Sequence, residues 1–131
     1  MKVVIIGGVA GGATAAARIR RLDEKAEIVV FERSGFISYA NCGLPYYIGG
    51  TIEDEGDLTL QTPESFYKRF RVSTHVRHEV TAIQPESRTI TVKNLESGEM
   101  FDEHYDKLLL SPGAKPIKPD FDGIDSNRIF T

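Results

Sequence analysis

Cys42 is the single cysteine of the 131-residue sequence, and its neighbours decide what chemistry it can do. The segment Asn41-Cys42-Gly43-Leu44-Pro45 predicts the start of a short helix, because proline is tolerated in a first helical turn. A thiol at a helix N-terminus favours its anion, the nucleophilic form, and Gly43 leaves room for a ring or substrate beside the sulfur. A lone cysteine outside such a segment is more often an inert, buried side chain. Without a second cysteine, any redox cycle needs a small-molecule thiol, an oxidised sulfur or a cysteine from elsewhere.

A glycine loop stands between the first predicted strand and the first predicted helix and has the chemistry of a dinucleotide site. Its members are Gly7, Gly8, Val9, Ala10, Gly11 and Gly12. The first glycine allows a tight turn, the last allows close packing of helix on strand, and the helix N-terminus offers N–H groups to a pyrophosphate. Val9 departs from the usual GxGxxG spacing, but Glu32 follows the second predicted strand, where a carboxylate can accept hydrogen bonds from a ribose. The alternative is a tight turn without a ligand and a surface glutamate.

A second glycine turn favours FAD over NAD as that dinucleotide. It follows the last predicted strand and comprises Ser111, Pro112, Gly113 and Ala114. Because it lies at the carboxyl end of a parallel strand, its backbone is expected beside the ligand that the first loop holds. An antiparallel insertion, predicted below, is also typical of FAD domains.

Thr14, Arg18 and Arg21 form one stripe of the first predicted helix, on a face other than the one that packs on the sheet. Two guanidinium groups beside a hydroxyl suit the binding of phosphates. The alternative is a solvated cationic face at a helix C-terminus.

The elements that must position these residues predict an α/β fold. Strands are expected at Lys2–Ile6, Glu27–Phe31 and Val72–Val76, a buried strand at Lys107–Leu110, helices at 13–22 and 62–70, an irregular segment at Ser34–Gly50, and an antiparallel meander at Glu79–His104. The first helix is expected to pack on the sheet through Gly12, Ala15, Ala16, Ile19 and Leu22. The fold class is therefore a Rossmann-like FAD-binding domain, with a parallel sheet, helices and an inserted antiparallel β-meander.

Composition excludes several classes of partner. The formal net charge of −3 does not favour electrostatic attraction to nucleic acid or an anionic membrane. No apolar run approaches the roughly 20 residues that span a bilayer, and the apolar N-terminus leads into the glycine loop rather than a cleavage site, which predicts a cytoplasmic protein. His75 and His78 have no further clustered ligands, so no metal site is expected.

The segment from Ser38 to Gly49 resembles the active-site segment of coenzyme A-disulfide reductases. These belong to the single-cysteine branch of the FAD-dependent pyridine nucleotide-disulfide oxidoreductases, together with NADH oxidase and NADH peroxidase. The first glycine loop with the alanine-rich start of its helix, and the stretch Tyr105–Ala114, are similar to the same family.

The resemblance implies an activity and a set of site residues. NAD(P)H would reduce FAD, and FAD would reduce a disulfide between Cys42 and coenzyme A, so that the thiolate attacks the next disulfide or persulfide. Coenzyme A would contact Thr14, Arg18, Arg21, Ser38 and Asn41. FAD would contact the first glycine loop together with Glu32, Arg33, Asn41, Val80, Ser111, Gly113 and Ala114. The family also uses a lysine where this chain has Phe70, with Lys68, Arg69 and Arg71 as possible substitutes.

Family members are several times longer than this chain. Residues 1–131 are therefore expected to be the N-terminal segment of a FAD-binding domain, in a homodimeric protein with further NAD(P)H and dimerisation domains. Two alternatives stay open: an NADH oxidase that cycles through a cysteine sulfenic acid, and a non-catalytic FAD-binding module.

Overall fold

The computed structural model describes residues 1–129, so Phe130 and Thr131, the last two residues of the expected N-terminal segment, lie outside the described residues. The strands in chain order are β1 (Lys2–Ile6), β2 (Glu27–Glu32), β3 (Ile37–Tyr39), β4 (Thr59–Gln61), β5 (Ser73–Val76), β6 (His78–Gln84), β7 (Thr89–Asn94), β8 (Met100–His104) and β9 (Lys107–Leu110). The helices are α1 (Ala10–Leu22), α2 (Leu44–Ile48) and α3 (Pro63–Phe70), with short 3₁₀ turns at Asn41–Gly43 and Glu55–Leu58. No helix among these residues is long and apolar enough to cross a membrane.

A four-stranded parallel sheet forms the centre of the fold, in the order β5-β2-β1-β9. Successive side chains of a strand point to opposite faces. Val3 and Ile5 therefore join a cluster that includes Ala13 and Ala16 of α1 and Phe66 of α3. Val4, Val29 and Phe31 face the other way and pack on Ile90, Val92 and Tyr105. Both faces of β1 and β2 are thus covered, one by helices and the other by β6–β8, which confirms the predicted α/β class with its antiparallel meander.

Helix α1 begins earlier than its sequence pattern predicted. It starts at Ala10 rather than residue 13, so the last three residues of the predicted glycine loop are helical. The predicted packing face is wrong at Ala15, in whose place Ala13 and Ala17 join the core cluster, and at its far end, where Leu22 is 69% exposed. Leu22 is the last helical residue, and the apolar contact with the sheet at this end is made by Ala26 instead.

Helix α3 begins and ends where the sequence predicted. Thr62 accepts a hydrogen bond from the Ser65 backbone, and the Ser65 hydroxyl accepts one from the Thr62 backbone, which completes a capping box. The chain leaves the helix through Arg71 at φ 51° and enters β5, which pairs in parallel with β2 as expected.

Two local predictions need correction. Strand β9 is an edge strand that pairs only with β1 among the described residues; Lys107 and Leu110 are exposed, so the predicted burial is wrong. The segment 34–50 was expected to be irregular, yet it contains β3, which pairs antiparallel with β4. That pairing joins residues about twenty positions apart, and a three-residue strand carries too little pattern to reveal it.

Candidate functional site

The first glycine loop is shaped by contacts within the chain. Gly7 has φ 93°, and a β-carbon there would lie 2.0 Å from the Ser111 carbonyl oxygen. A β-carbon at Gly12 would lie 1.8 Å from the Gly7 carbonyl oxygen. The tight turn and the close helix–strand packing predicted for these two glycines are therefore present in the structure.

The N-terminus of α1 is open to an external acceptor. Its N-cap residue, Val9, makes no side-chain hydrogen bond to the helix, and the first turn holds no acidic residue. The first N–H groups of a helix have no partner within the helix, and they carry the positive end of its dipole. This 13-residue helix therefore presents the donors that a pyrophosphate requires.

Glu32 is buried and fixed by two backbone hydrogen bonds. The Gly8 N–H donates to Oε2 at 2.7 Å, and the Ser34 N–H donates to Oε1 at 2.7 Å. The sequence predicted a ribose acceptor at this position but gave no sign that the carboxylate also holds the glycine loop. Because a carboxylate has about four lone-pair sites, it retains capacity for a further donor.

A cavity of about 350 Å³ opens on the meander side of the glycine loop. We call it the Glu32 cavity. It brings together six of the predicted cofactor residues: Gly7, Glu32, Arg33, Val80, Gly113 and Ala114. Ser111 lies outside its lining, with its hydroxyl oxygen 2.5 Å from where a β-carbon on Gly11 would stand. The second glycine turn is thus brought beside the first, as expected for two loops at the carboxyl ends of neighbouring parallel strands.

A larger cavity, of about 650 Å³, opens on the helix side of the loop and contains Cys42. We call it the Cys42 cavity. It brings together Thr14, Ser38, Asn41 and Cys42, together with Val9 and Ala10 of the loop. Asn41, which was expected to contact both ligands, therefore lies on this side only. Arg18 and Arg21 are exposed and lie outside the lining.

Helix α3 contributes a wall to the Cys42 cavity, of which the resemblance indicated only the position of Phe70 and its neighbouring cations, and not Phe66. Phe66, Arg69 and Phe70 line the Cys42 cavity, at positions that share one helix face. Of the three cations considered near Phe70, only Arg69 is among the lining residues, and it is the one charged side chain among them. The spacing of these residues in the predicted helix was the available signal.

Cys42 is a free, exposed thiol at the mouth of a helical segment. It lies in the 3₁₀ turn Asn41–Gly43, directly before α2, and Pro45 stands in the first turn of that helix, as predicted. The role expected of Gly43 is wrong, because a β-carbon there would lie 2.6 Å from Cδ2 of Leu58. The space beside this glycine is filled by a fully buried leucine of the chain itself rather than left open for a ligand.

Gly8 connects the two cavities through its peptide groups. Its N–H donates to Glu32 of the Glu32 cavity, while its carbonyl oxygen accepts a hydrogen bond of 2.9 Å from the N–H of Ser38 in the Cys42 cavity. Ser38 has φ 53°, an uncommon conformation for a residue with a side chain. The hydrogen bond from Ser38 to Gly8 ties β3, the strand that leads to Cys42, to the glycine loop.

His75 and His78 belong to the packing between the sheet and the meander. The His75 ring stacks on Phe31 with 5.2 Å between centroids, and Nδ1 of His78 lies 2.7 Å from the Val76 carbonyl oxygen. Burial, together with the neighbouring His78, holds the pKa of His75 below its usual value. Both rings are therefore engaged in packing.

The fold and the two cavities define a class: a dinucleotide-binding α/β domain with a thiol on the opposite side of its glycine loop. Over residues 1–131 the chain matches the family model of pyridine nucleotide-disulphide oxidoreductases, and it belongs to that family. It is 50% identical over 130 residues to the coenzyme A disulfide reductase of Staphylococcus aureus strain JH9, covering 99% of this chain and 29% of that protein. The chain therefore spans less than a third of that relative.

Two solved structures extend the comparison. The reduced CoADR-RHD of Bacillus anthracis has a TM-score of 0.90 and 54% identity, covering 94% of this chain and 22% of that chain. A water-forming NADH oxidase from Lactobacillus brevis, bound to NADH, has a TM-score of 0.87 and 37% identity, covering 98% of this chain and 28% of that chain. Both similarities reach nearly the whole sequence.

Proposed function

We propose that the chain is the N-terminal segment of a FAD-dependent NAD(P)H:disulfide oxidoreductase that reduces coenzyme A disulfide, or the related persulfide, through Cys42. The observation that carries this proposal is the position of the two cavities on opposite sides of one glycine loop. One contains a buried carboxylate and the other an exposed thiol. The 50% identity to a coenzyme A disulfide reductase supports the choice of substrate.

FAD fits the residues of the glycine loop and the Glu32 cavity. The uncapped N-terminus of α1 would hold the pyrophosphate, and Glu32, already oriented by two N–H donors, would accept from the adenosine ribose. Arg33, Val80 and the second glycine turn would line the adenosine end. When bound, FAD would supply the transfer of electrons from NAD(P)H to sulfur.

The thiol side would perform a disulfide exchange. The Cys42 thiolate attacks one sulfur of coenzyme A disulfide, a new Cys42–coenzyme A disulfide forms, the original disulfide breaks, and one coenzyme A thiolate leaves. Thr14, Ser38 and Asn41 line the cavity that would receive the substrate near Cys42. Arg18 and Arg21 would meet the phosphates beyond the lining, where two exposed guanidinium groups continue the Thr14 stripe.

A second candidate is an NADH oxidase, favoured by the similarity to the Lactobacillus brevis enzyme. In that case, oxygen would be the oxidant, water the product, and Cys42 would alternate between thiol and sulfenic acid. The lower identity, 37% against 50%, places this candidate second.

Further features of the whole protein belong to the same proposal. We expect a cytoplasmic homodimer, with NAD(P)H and dimerisation domains outside residues 1–131. The match of this chain to only 29% of its coenzyme A disulfide reductase relative supports the existence of such domains.

The test is the Cys42→Ser variant of the full-length protein. We expect it to retain its flavin and to lose turnover of coenzyme A disulfide to background, because a hydroxyl cannot accept electrons as a disulfide does. Mass spectrometry of the oxidised wild-type protein should find a reductant-sensitive coenzyme A adduct on the Cys42 peptide. Full activity of the serine variant would refute the proposal, whereas sulfenic acid on Cys42 with oxygen consumed to water would select the oxidase.

A further inference from the structure

Arg20 joins the C-terminal ends of α1 and α3 by four hydrogen bonds from its guanidinium group to backbone carbonyls. Its Nε donates to the Phe70 carbonyl oxygen at 2.8 Å, and a terminal nitrogen donates to that of Arg71 at 3.0 Å. The other terminal nitrogen donates to the carbonyl oxygens of Asp23 at 3.2 Å and Glu24 at 2.6 Å. One guanidinium group therefore satisfies carbonyls at the ends of both helices, where cations also complement the helix dipole.

This guanidinium lies outside the lining of the Cys42 cavity but is bonded to a residue that lines it. Ala13, Ala17 and Arg20 are spaced four and three residues apart and so form one stripe of α1. The two alanines line the cavity, and Phe70, whose carbonyl accepts the Nε bond, lines it from α3. Small side chains thus line the cavity along the stripe, and Arg20 continues the stripe to the C-terminal end of α3.

The arginines of α1 have different environments. Within residues 1–129, Arg18 and Arg21 make no side-chain hydrogen bond or ion pair and are exposed, while Arg20 has all three of its guanidinium nitrogens engaged. The engaged arginine is therefore unavailable to a phosphate, and it ties together the ends of the two helices that contribute to the cavity lining. Arg69, the charged residue of the α3 wall, directly precedes the Phe70 carbonyl that Arg20 holds.

We propose that Arg20 is a positioning residue for the substrate: it fixes the C-terminal end of α3 against α1 and so holds Arg69 at the Cys42 cavity for the anionic part of a bulky disulfide. The inference rests on the proposed function for the identity of that disulfide. A lysine at position 20 keeps the charge, but a single ammonium group cannot reach both helix ends with the same fork geometry.

The experiment compares two disulfides in their first exchange at Cys42, using the full-length protein and mass spectrometry of the Cys42 peptide. Coenzyme A disulfide is bulky and anionic, while 2-hydroxyethyl disulfide is small and uncharged. We expect Arg20→Lys to slow exchange with coenzyme A disulfide about tenfold, the size of one lost charge-assisted contact, and to leave the small disulfide within about twofold. In Arg20→Ala, millimolar methylguanidinium should restore part of the lost rate with coenzyme A disulfide.

Val92→Ala is the matched control, because it removes buried volume in the meander cluster on the opposite face of the sheet. It should lower thermal stability without changing the ratio between the exchange rates of the two disulfides. Equal slowing of both disulfides by Arg20→Lys, or no slowing, would overturn the inference and leave Arg20 with a purely structural role. If the full-length protein never turns over coenzyme A disulfide, yet Arg20→Lys still slows that exchange selectively, the proposed function fails and the inference stands.

Discussion

The two cavities on either side of the glycine loop are built by different means. The Glu32 cavity is lined by residues of the parallel sheet and the meander, and its carboxylate is buried and held by two hydrogen bonds of 2.7 Å. The Cys42 cavity is larger, and its thiol is exposed on a 3₁₀ turn between a three-residue strand and a five-residue helix. Within that helix, the side chains of Tyr46 and Ile48 are exposed as well.

The difference matches the two tasks proposed for the protein. A resident cofactor benefits from a preorganised site, because rigid donors and acceptors lose little entropy when it binds. A thiol that exchanges with a bulky disulfide must instead be reached from solvent and must release its product. Gly8 links the two sides, because its N–H donates to Glu32 and its carbonyl oxygen accepts from Ser38. Strand β3, which leads to Cys42, is therefore tied to the glycine loop that Glu32 holds.

Glu32→Ala gives the largest expected effect and tests the preorganised side. The substitution leaves the buried Gly8 N–H and the Ser34 N–H without their acceptor, and we expect a loss of about 2–4 kcal/mol in the free energy of unfolding. Urea denaturation measures this loss, and the full-length variant should purify with reduced flavin content.

Glu79→Gln is the control for that change. Glu79 also lines the Glu32 cavity, but its ion pair with Arg33 is long, at 3.6 Å, and solvent-exposed. Its loss should change the free energy of unfolding by less than about 1 kcal/mol. Equal effects of the two substitutions would show that the Glu32 hydrogen bonds do not make this side rigid.

Changing Arg18 and Arg21 together to alanine tests the open side. We expect the KM for coenzyme A disulfide to rise about tenfold while the flavin content stays constant, because the two guanidinium groups would contact only the substrate phosphates. Lys25→Ala, which removes an exposed cation just beyond the same helix, serves as the control and should leave the KM unchanged. An unchanged KM in the double variant would mean that the stripe is a solvated helix face.

Asp106 lies at the opposite end of the sheet from both cavities and gives the smallest expected effect. The Lys2 N–H donates to its Oδ2 at 2.6 Å, and this hydrogen bond lowers the pKa of the carboxyl from its usual 3.8. The group therefore contributes stability above that usual pKa, and this contribution is lost as the pH falls through the lowered value.

Thermal unfolding of the wild type and Asp106→Asn from neutral pH to about pH 3 checks this assignment. The variant should be slightly less stable at neutral pH, and the difference should shrink as the solution becomes acidic. Turnover and flavin content should not change. A constant difference across the pH range would contradict the role of this hydrogen bond, and a change in turnover would contradict the separation of this end from the site.

Much of the fold followed from local patterns. The apolar run of β1, the start of α3 at Thr62-Pro63 and the short alternating strands of the meander each lie within a few consecutive residues, so that their periodicity and turn signals were readable. The errors fell where a tertiary contact overrides the pattern. Leu22 and Leu110 are apolar residues that the described fold leaves exposed, and the β3–β4 pair depends on strands distant in the chain.

For the site, the sequence by itself determined which groups could take part in catalysis or binding. These are the lone thiol, the glycines, the acid after the second strand and the cations of α1. Only the tertiary structure decided how they are divided, with Glu32 and Arg33 on one side of the loop and Cys42, Asn41 and Ser38 on the other. It also decided that Arg69 enters the lining and that Arg20 bridges two helices. The physical reason is that these contacts join residues far apart in the chain, such as Arg20 and the Phe70 carbonyl, and they form only when the sheet brings its two helices together.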